Sequence, residues 1–121
     1  MTQDIQSKSQ LREKQCITCS VSTPPLSKTE SESLLNQIDQ EWAINMDSTA
    51  ITRSFQFRDF YQTMAFANAV AWIANQQDHH PELVISYRVC QVSYCTHSIK
   101  GLSENDFICA AKIDHLQDGI N

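Results

Sequence analysis

Between Asp59 and Pro81 the chain carries its widest apolar helical face, and that face limits what the rest can be. Phe60, Met64, Ala67, Ala71 and Ala74 recur every three or four residues, and Phe66, Val70 and Ile73 widen the stripe. Asp59 is placed to cap the first turn, with Gln62 at the N3 position. Pro81 disfavours α geometry at His80, so the helix has to finish near Asp78. A stripe this wide needs a broad partner, and both flanks supply one. From Ala50 to Phe57 the residues alternate, with Ile51, Phe55 and Phe57 on one face and Thr52, Ser54 and Gln56 on the other. Arg53 interrupts the apolar face, as a residue near a sheet edge would. The stretch from Leu83 to Thr96 is rich in β-formers (Val84, Ile85, Tyr87, Val89, Val92, Tyr94). It is too long for one ordinary strand and predicts two, with a tight turn near Tyr87-Arg88.

The remaining elements complete an antiparallel sheet. Ser27-Lys28-Thr29-Glu30 is a capping box, and Leu34, Leu35 and Ile38 follow at helical spacing, which predicts a helix over 27–40. Trp42 to Met46 reads as a short strand, joined through Asp47-Ser48-Thr49 to the alternating stretch as a hairpin. Ser103 caps the last helix, Leu102 and Phe107 match a hydrophobic staple, and Phe107, Ala110, Ala111 and Leu116 point inward. The order α-β-β-α-β-β-α argues for an α+β fold, a four-stranded antiparallel sheet with helices packed on one face. So small a sheet has its edges covered or paired, and self-association is expected.

Residues 1–25 are polar and end in Thr23-Pro24-Pro25, which reads as a flexible tail ahead of a single domain over 26–121. Within the tail, Cys16-Ile17-Thr18-Cys19 offers two thiols where a structural zinc wants four ligands. It also lacks the βαβ context of a redox C-x-x-C. Residues 1–22 are therefore expected to be dispensable for the main activity, with a peripheral metal or redox role for Cys16 and Cys19 left open. Five cysteines do not suggest a disulfide framework, and a reducing cytoplasm fits best. A length of 121 residues suits one core. Only two glycines argue against a glycine-rich phosphate cradle. A net charge of -5 argues against nucleic acid as partner. No apolar run approaches the ~18 residues of a membrane span, and the polar opening lacks a secretory core.

Three of the four histidines fall in one stretch: His79 and His80 at or just after the end of the long helix, and His97 at a strand end. Imidazole titrates near neutrality, so such a cluster can give and take protons. Four readings of it compete. As zinc ligands, His79, His80 and His97 lack a familiar H-x-x-x-H spacing. As structural residues, each satisfies a local hydrogen bond, the reading adopted for the isolated His115. As acid–base groups, they ring a pocket for an organic substrate. As bystanders, they sit on a docking surface.

The same stretch resembles the pterin-4a-carbinolamine dehydratase family, also called 4a-hydroxytetrahydrobiopterin dehydratase. The resemblance is carried by His79-His80-Pro81, Tyr87, Thr96-His97-Ser98 and Gly101 through Phe107 with Asp106. Trp42, Phe55 through Phe60, and Ala110-Ala111 add to it, and it spans roughly residues 27 to 116. Asn75 stands where the family usually has Glu. The resemblance implies a lyase that eliminates water from a 4a-hydroxytetrahydropterin, recycling the pterin of aromatic amino acid hydroxylases. It implies His79 and His97 as acid–base residues and His80 as a positioning residue, with Pro81, Tyr87, Asn75 and Asp106 in binding or supporting positions. Asp106 either orients His97 or is an N3 acid favoured by the helix dipole. The pterin would be the substrate, with no metal or other cofactor, and the protein a homodimer or homotetramer. The vertebrate members of that family also act as dimerisation cofactors of a homeodomain transcription factor, so the resemblance leaves an interaction module or coactivator as the alternative.

Overall fold

The structure, a computed structural model, describes the backbone of residues 11–120 and the side chains of 11–117. A first helix, α1 (Lys28–Leu35), precedes the hairpin of β1 (Ala43–Ile44) and β2 (Ile51–Gln56). The long helix α2 (Phe60–Gln77), the hairpin of β3 (Glu82–Ile85) and β4 (Val89–Tyr94), and α3 (Glu104–Ile120) follow. The expected order is thus present, with two additions: a helical stretch at 11–13 and a 3-10 turn at His97–Ile99. The sheet order is β1-β2-β4-β3 with every pair antiparallel.

Local chemistry sets the element ends. Ser27 and Glu30 close the capping box of α1, and the Asp59 carboxylate accepts the Gln62 amide at 2.9 Å to start α2. The first helix is shorter than predicted. Beyond Leu35 the amides of Gln37 and Ile38 bond three residues back, which tightens the chain into turns that still bury Ile38 and Trp42. The first strand is shorter too, because Asn45 Oδ1 accepts the amides of Thr49 and Ala50 and begins the turn early.

One face of the sheet is buried. Ile51, Arg53 and Phe55 of β2 and Cys90, Val92 and Tyr94 of β4 point inward in register, while Thr52 and Ser93 bond on the other face. The apolar face of α2 docks through Phe66, whose ring lies 4.6 Å from Phe55 and 5.0 Å from Phe57. Its buried stripe is Thr63, Phe66, Ala67, Val70, Ile73 and Ala74. The stripe is rotated from the predicted one, and Phe60 is half exposed, stacked on Tyr87. No helix among the described residues is long and apolar enough to cross a membrane.

Two expectations are corrected. Arg53 is not an exposed edge residue: it lies on an inner strand opposite Val92 of β4, one residue past the end of the β1 ladder, and is 9% exposed. Its guanidinium bonds Asp114 and Gln117, each at 2.8 Å, and lies over the Phe55 ring, which is how a cation comes to occupy a core position. Residues 11–25 are not free of the domain either. Leu11 is fully buried, the Leu26 amide bonds the Leu102 carbonyl, and Pro25 packs so tightly on Gly101 that a Cβ there would sit 2.7 Å from it.

Candidate active site

His79 is delivered by the end of α2. Asp78 adopts a left-handed conformation at φ 50°, its amide returns to the last turn, and the chain leaves the helix with His79 beneath β4. There the imidazole stacks on Tyr94 at 5.3 Å and 11°, and the Tyr94 hydroxyl donates to the His79 carbonyl.

Asp106, the third residue of α3, is fully buried and uses both carboxylate oxygens. Oδ2 accepts from the Thr96 hydroxyl at 2.8 Å and the Ser103 amide at 2.9 Å, and Oδ1 faces His79 Nε2 at 2.5 Å. Ser103 heads α3 differently from the expectation: its amide bonds the Asp106 carboxylate, while its hydroxyl turns to Thr96 at 2.7 Å. Burial opposes a charged His79. The hydrogen bond and the negative charge of Asp106 outweigh it, and the His79 pKa is raised above the ordinary imidazole value.

His79, His80 and His97 line one cleft of about 270 Å³. His97 opens the 3-10 turn after β4, held by the Thr96–Gly101 bridge, and its ring nitrogens lie 3.7 and 3.8 Å from Cys95 Sγ. A larger hollow of about 520 Å³ beside Leu35, Asp39 and Trp42 brings no histidine or cysteine together. Among the described residues, no group of three or more His, Cys, Asp or Glu is arranged to hold a metal ion.

The structure sorts the candidates. Asp106 pairs with His79 and not with His97, because the α3 N-terminus abuts the end of α2. It is also the N3 acid of its helix, so both sequence-based roles coincide in one residue, with a different histidine as partner. Tyr87 is not brought to the cleft. It sits in the β3–β4 turn, 61% exposed, at the far end of a six-residue strand, about 20 Å from the histidines. Asn75 is exposed on α2 and does not line the cleft, although its carbonyl accepts the Asp78 amide that ends the helix. Pro81 is partly buried and leads from His80 into β3.

Sequence reasoning missed the wall made by Ile17, Thr18 and Cys19. The Cys16 amide donates to Gln77 Oε1 at 2.8 Å, and Ile17 and Asn105 exchange two hydrogen bonds of 3.0 and 2.6 Å. The segment therefore straps the end of α2 to the start of α3, the two helix ends that carry His79 and Asp106. Its polar composition gave no periodic signal of this, since it docks mainly by backbone bonds.

Comparisons with known proteins identify the family. A family profile described as Pterin 4 alpha carbinolamine dehydratase matches residues 24–116. A Nitrosospira multiformis protein provisionally named pterin-4-alpha-carbinolamine dehydratase is 54% identical over 106 residues, covering 88% of this chain and 91% of its own. A Nitrosomonas eutropha protein with the same provisional name is 52% identical over 106 residues, covering 88% and 92%. The solved structure of a transcriptional coactivator/pterin dehydratase from Brucella melitensis aligns with a TM-score of 0.72 at 35% identity, covering 76% of this chain and 97% of that one. The chain belongs to the pterin-4-alpha-carbinolamine dehydratase family.

Proposed function

We propose that this protein eliminates water from a 4a-hydroxytetrahydropterin to give the quinonoid dihydropterin, by histidine acid–base catalysis. The observation that carries the reading is the buried His79–Asp106 pair opening onto a cleft shared with His80 and His97. Hydroxide leaves C4a poorly until protonated, and the N5 proton must depart as the C4a=N5 bond forms. Asp106 holds His79 Nε2, so Nδ1 is the nitrogen left for substrate, and the raised pKa favours the imidazolium. His79 is then the acid that turns the 4a-hydroxyl into water, and His97 the base that takes the N5 proton. His80 positions the pterin. The proton balance closes within the cleft, with no metal or further cofactor. The substrate comes from hydroxylation of an aromatic amino acid by a pterin-dependent enzyme.

Turnover by purified protein, followed by ultraviolet absorbance and corrected for the uncatalysed reaction, tests this. His79→Ala and His97→Ala should each lower kcat by on the order of 10² or more, and His80→Ala should chiefly raise KM. Near-wild-type kcat in both His79→Ala and His97→Ala would refute the assignment. Activity should also survive exhaustive chelation.

A second reading, an interaction module, draws on exposed Tyr61, Trp72 and Val84 and on the coactivator name carried by the Brucella protein. It leaves the buried charge pair without a use, and the enzymatic reading is preferred.

A further inference from the structure

Cys16 does not face Cys19, its neighbour in the C-x-x-C. Its sulfur lies 3.6 Å from that of Cys109, across 93 residues of sequence, where the strap crosses α3. Cys109 is fully buried, whereas Cys16 is only partly so, and Cys19 sits apart with its sulfur against Asn105 Nδ2. The strap is fastened at this crossing by Gln77, by Asn105 and by Lys112, whose ammonium donates to the Arg12 carbonyl at 2.7 Å. The strap is thus fixed here by bonds beyond the sulfurs' own, which are the contact between them and that of Cys16 Sγ with the Asn105 carbonyl at 3.7 Å. A disulfide needs about 2.05 Å between sulfurs, so the pair has to close from 3.6 Å.

We propose that Cys16 and Cys109 form a peroxide-responsive thiol pair, Cys16 the attacked sulfur and Cys109 the resolving one, whose disulfide staples the strap to α3. The environments divide the roles. When Cys16 is the thiolate the Cys109 thiol donates to it, and this contact lowers the Cys16 pKa. Burial opposes the shift, and the positive charges of His79 and Lys112 add to it. The same hydrogen bond, together with burial, pushes Cys109 up and keeps it a thiol. In the first step the Cys16 thiolate attacks one oxygen of hydrogen peroxide. The O–O bond breaks, a sulfenic acid forms, and hydroxide leaves to be protonated to water. In the second, the Cys109 sulfur attacks the sulfenic sulfur, the S–O bond breaks, and the thiol proton leaves with the hydroxyl as a second water. Two electrons pass from the thiols to the peroxide, and a dithiol reverses the change by exchange. Because Ile17, Thr18 and Cys19 wall the cleft, oxidation fixes that wall to α3.

The test treats the full chain with a few equivalents of hydrogen peroxide, alkylates free thiols and maps linkages by mass spectrometry. A Cys16–Cys109 linkage is expected, reversed by dithiothreitol and still formed in Cys19→Ser. Cys109→Ser should stop at a Cys16 sulfenic acid trapped by dimedone. Should that variant not fold, the wild-type time course decides, with the Cys16 adduct preceding the cross-link. The oxidised protein should melt several degrees above the reduced one. A dominant Cys16–Cys19 linkage, or Cys16 oxidised no faster than Cys95, would overturn the proposal. None of these readouts depends on pterin turnover.

Discussion

Asp106 spends both carboxylate oxygens inside the protein, on Thr96, Ser103 and His79, and this fixes the imidazole and its charge together. Asp106→Asn keeps the shape and removes the charge. We expect kcat to fall by on the order of 10². The alkaline limb of kcat/KM should move to lower pH, since the variant no longer holds up the His79 pKa. An unmoved limb would show that His79 is not the acid. The same shift enters stability. A histidine whose folded pKa exceeds its unfolded value stabilises fully below about pH 6.5 and loses that contribution as pH rises through the folded pKa. The advantage of wild type over His79→Gln in urea denaturation should therefore shrink from mildly acidic to alkaline pH. An advantage that grows with pH would contradict the sign.

At the scale of elements, α3 is pinned at both ends by buried charge. Asp114 accepts from Arg53 and from Trp42 Nε1, each at 2.8 Å, and joins α3 to β2 and to the turn before β1. Asp114→Ala leaves Arg53 only Gln117 and Asp39, the latter at 3.5 Å, and strips Trp42 Nε1 of its acceptor, so it should cost about 2 kcal/mol. The double variant Arg53→Met/Asp114→Leu should recover most of that loss. Urea midpoints of the two variants check it, and equal losses would mean that packing governs the site. The strap acts on the other end of α3. Its bonds to Gln77 and Asn105 hold the helix ends beneath the dyad. Deleting residues 1–22 should lower kcat about tenfold or more, because small misplacements of catalytic groups are costly. A folded truncation with wild-type kcat would show that the strap is only a cover.

Across the whole molecule, β3 is an edge strand with Val84 61% exposed, and Trp72 on α2 is 63% exposed. A chain of this size does not ordinarily leave a β-edge and large apolar side chains unpaired. We expect a homodimer or homotetramer by light scattering, and a monomer at micromolar concentration would defeat that expectation.

The sequence by itself determined the elements and their order. Helical period, alternation, the Ser27 and Asp59 caps and the stop at Pro81 are local signals, read by neighbours along the chain. It also implied that His79, His80 and His97 lie near one another, because a hairpin returns the end of its second strand to the start of its first, and the three line one cleft. Only tertiary structure decided the partners. That Asp106 takes His79, that Arg53 finds Asp114 and that Cys16 lies on Cys109 depend on how helix ends dock over the sheet. Those contacts join residues 27, 61 and 93 positions apart, and periodicity carries no information over such distances. The strap was illegible for a related reason: backbone hydrogen bonds leave no side-chain pattern to read.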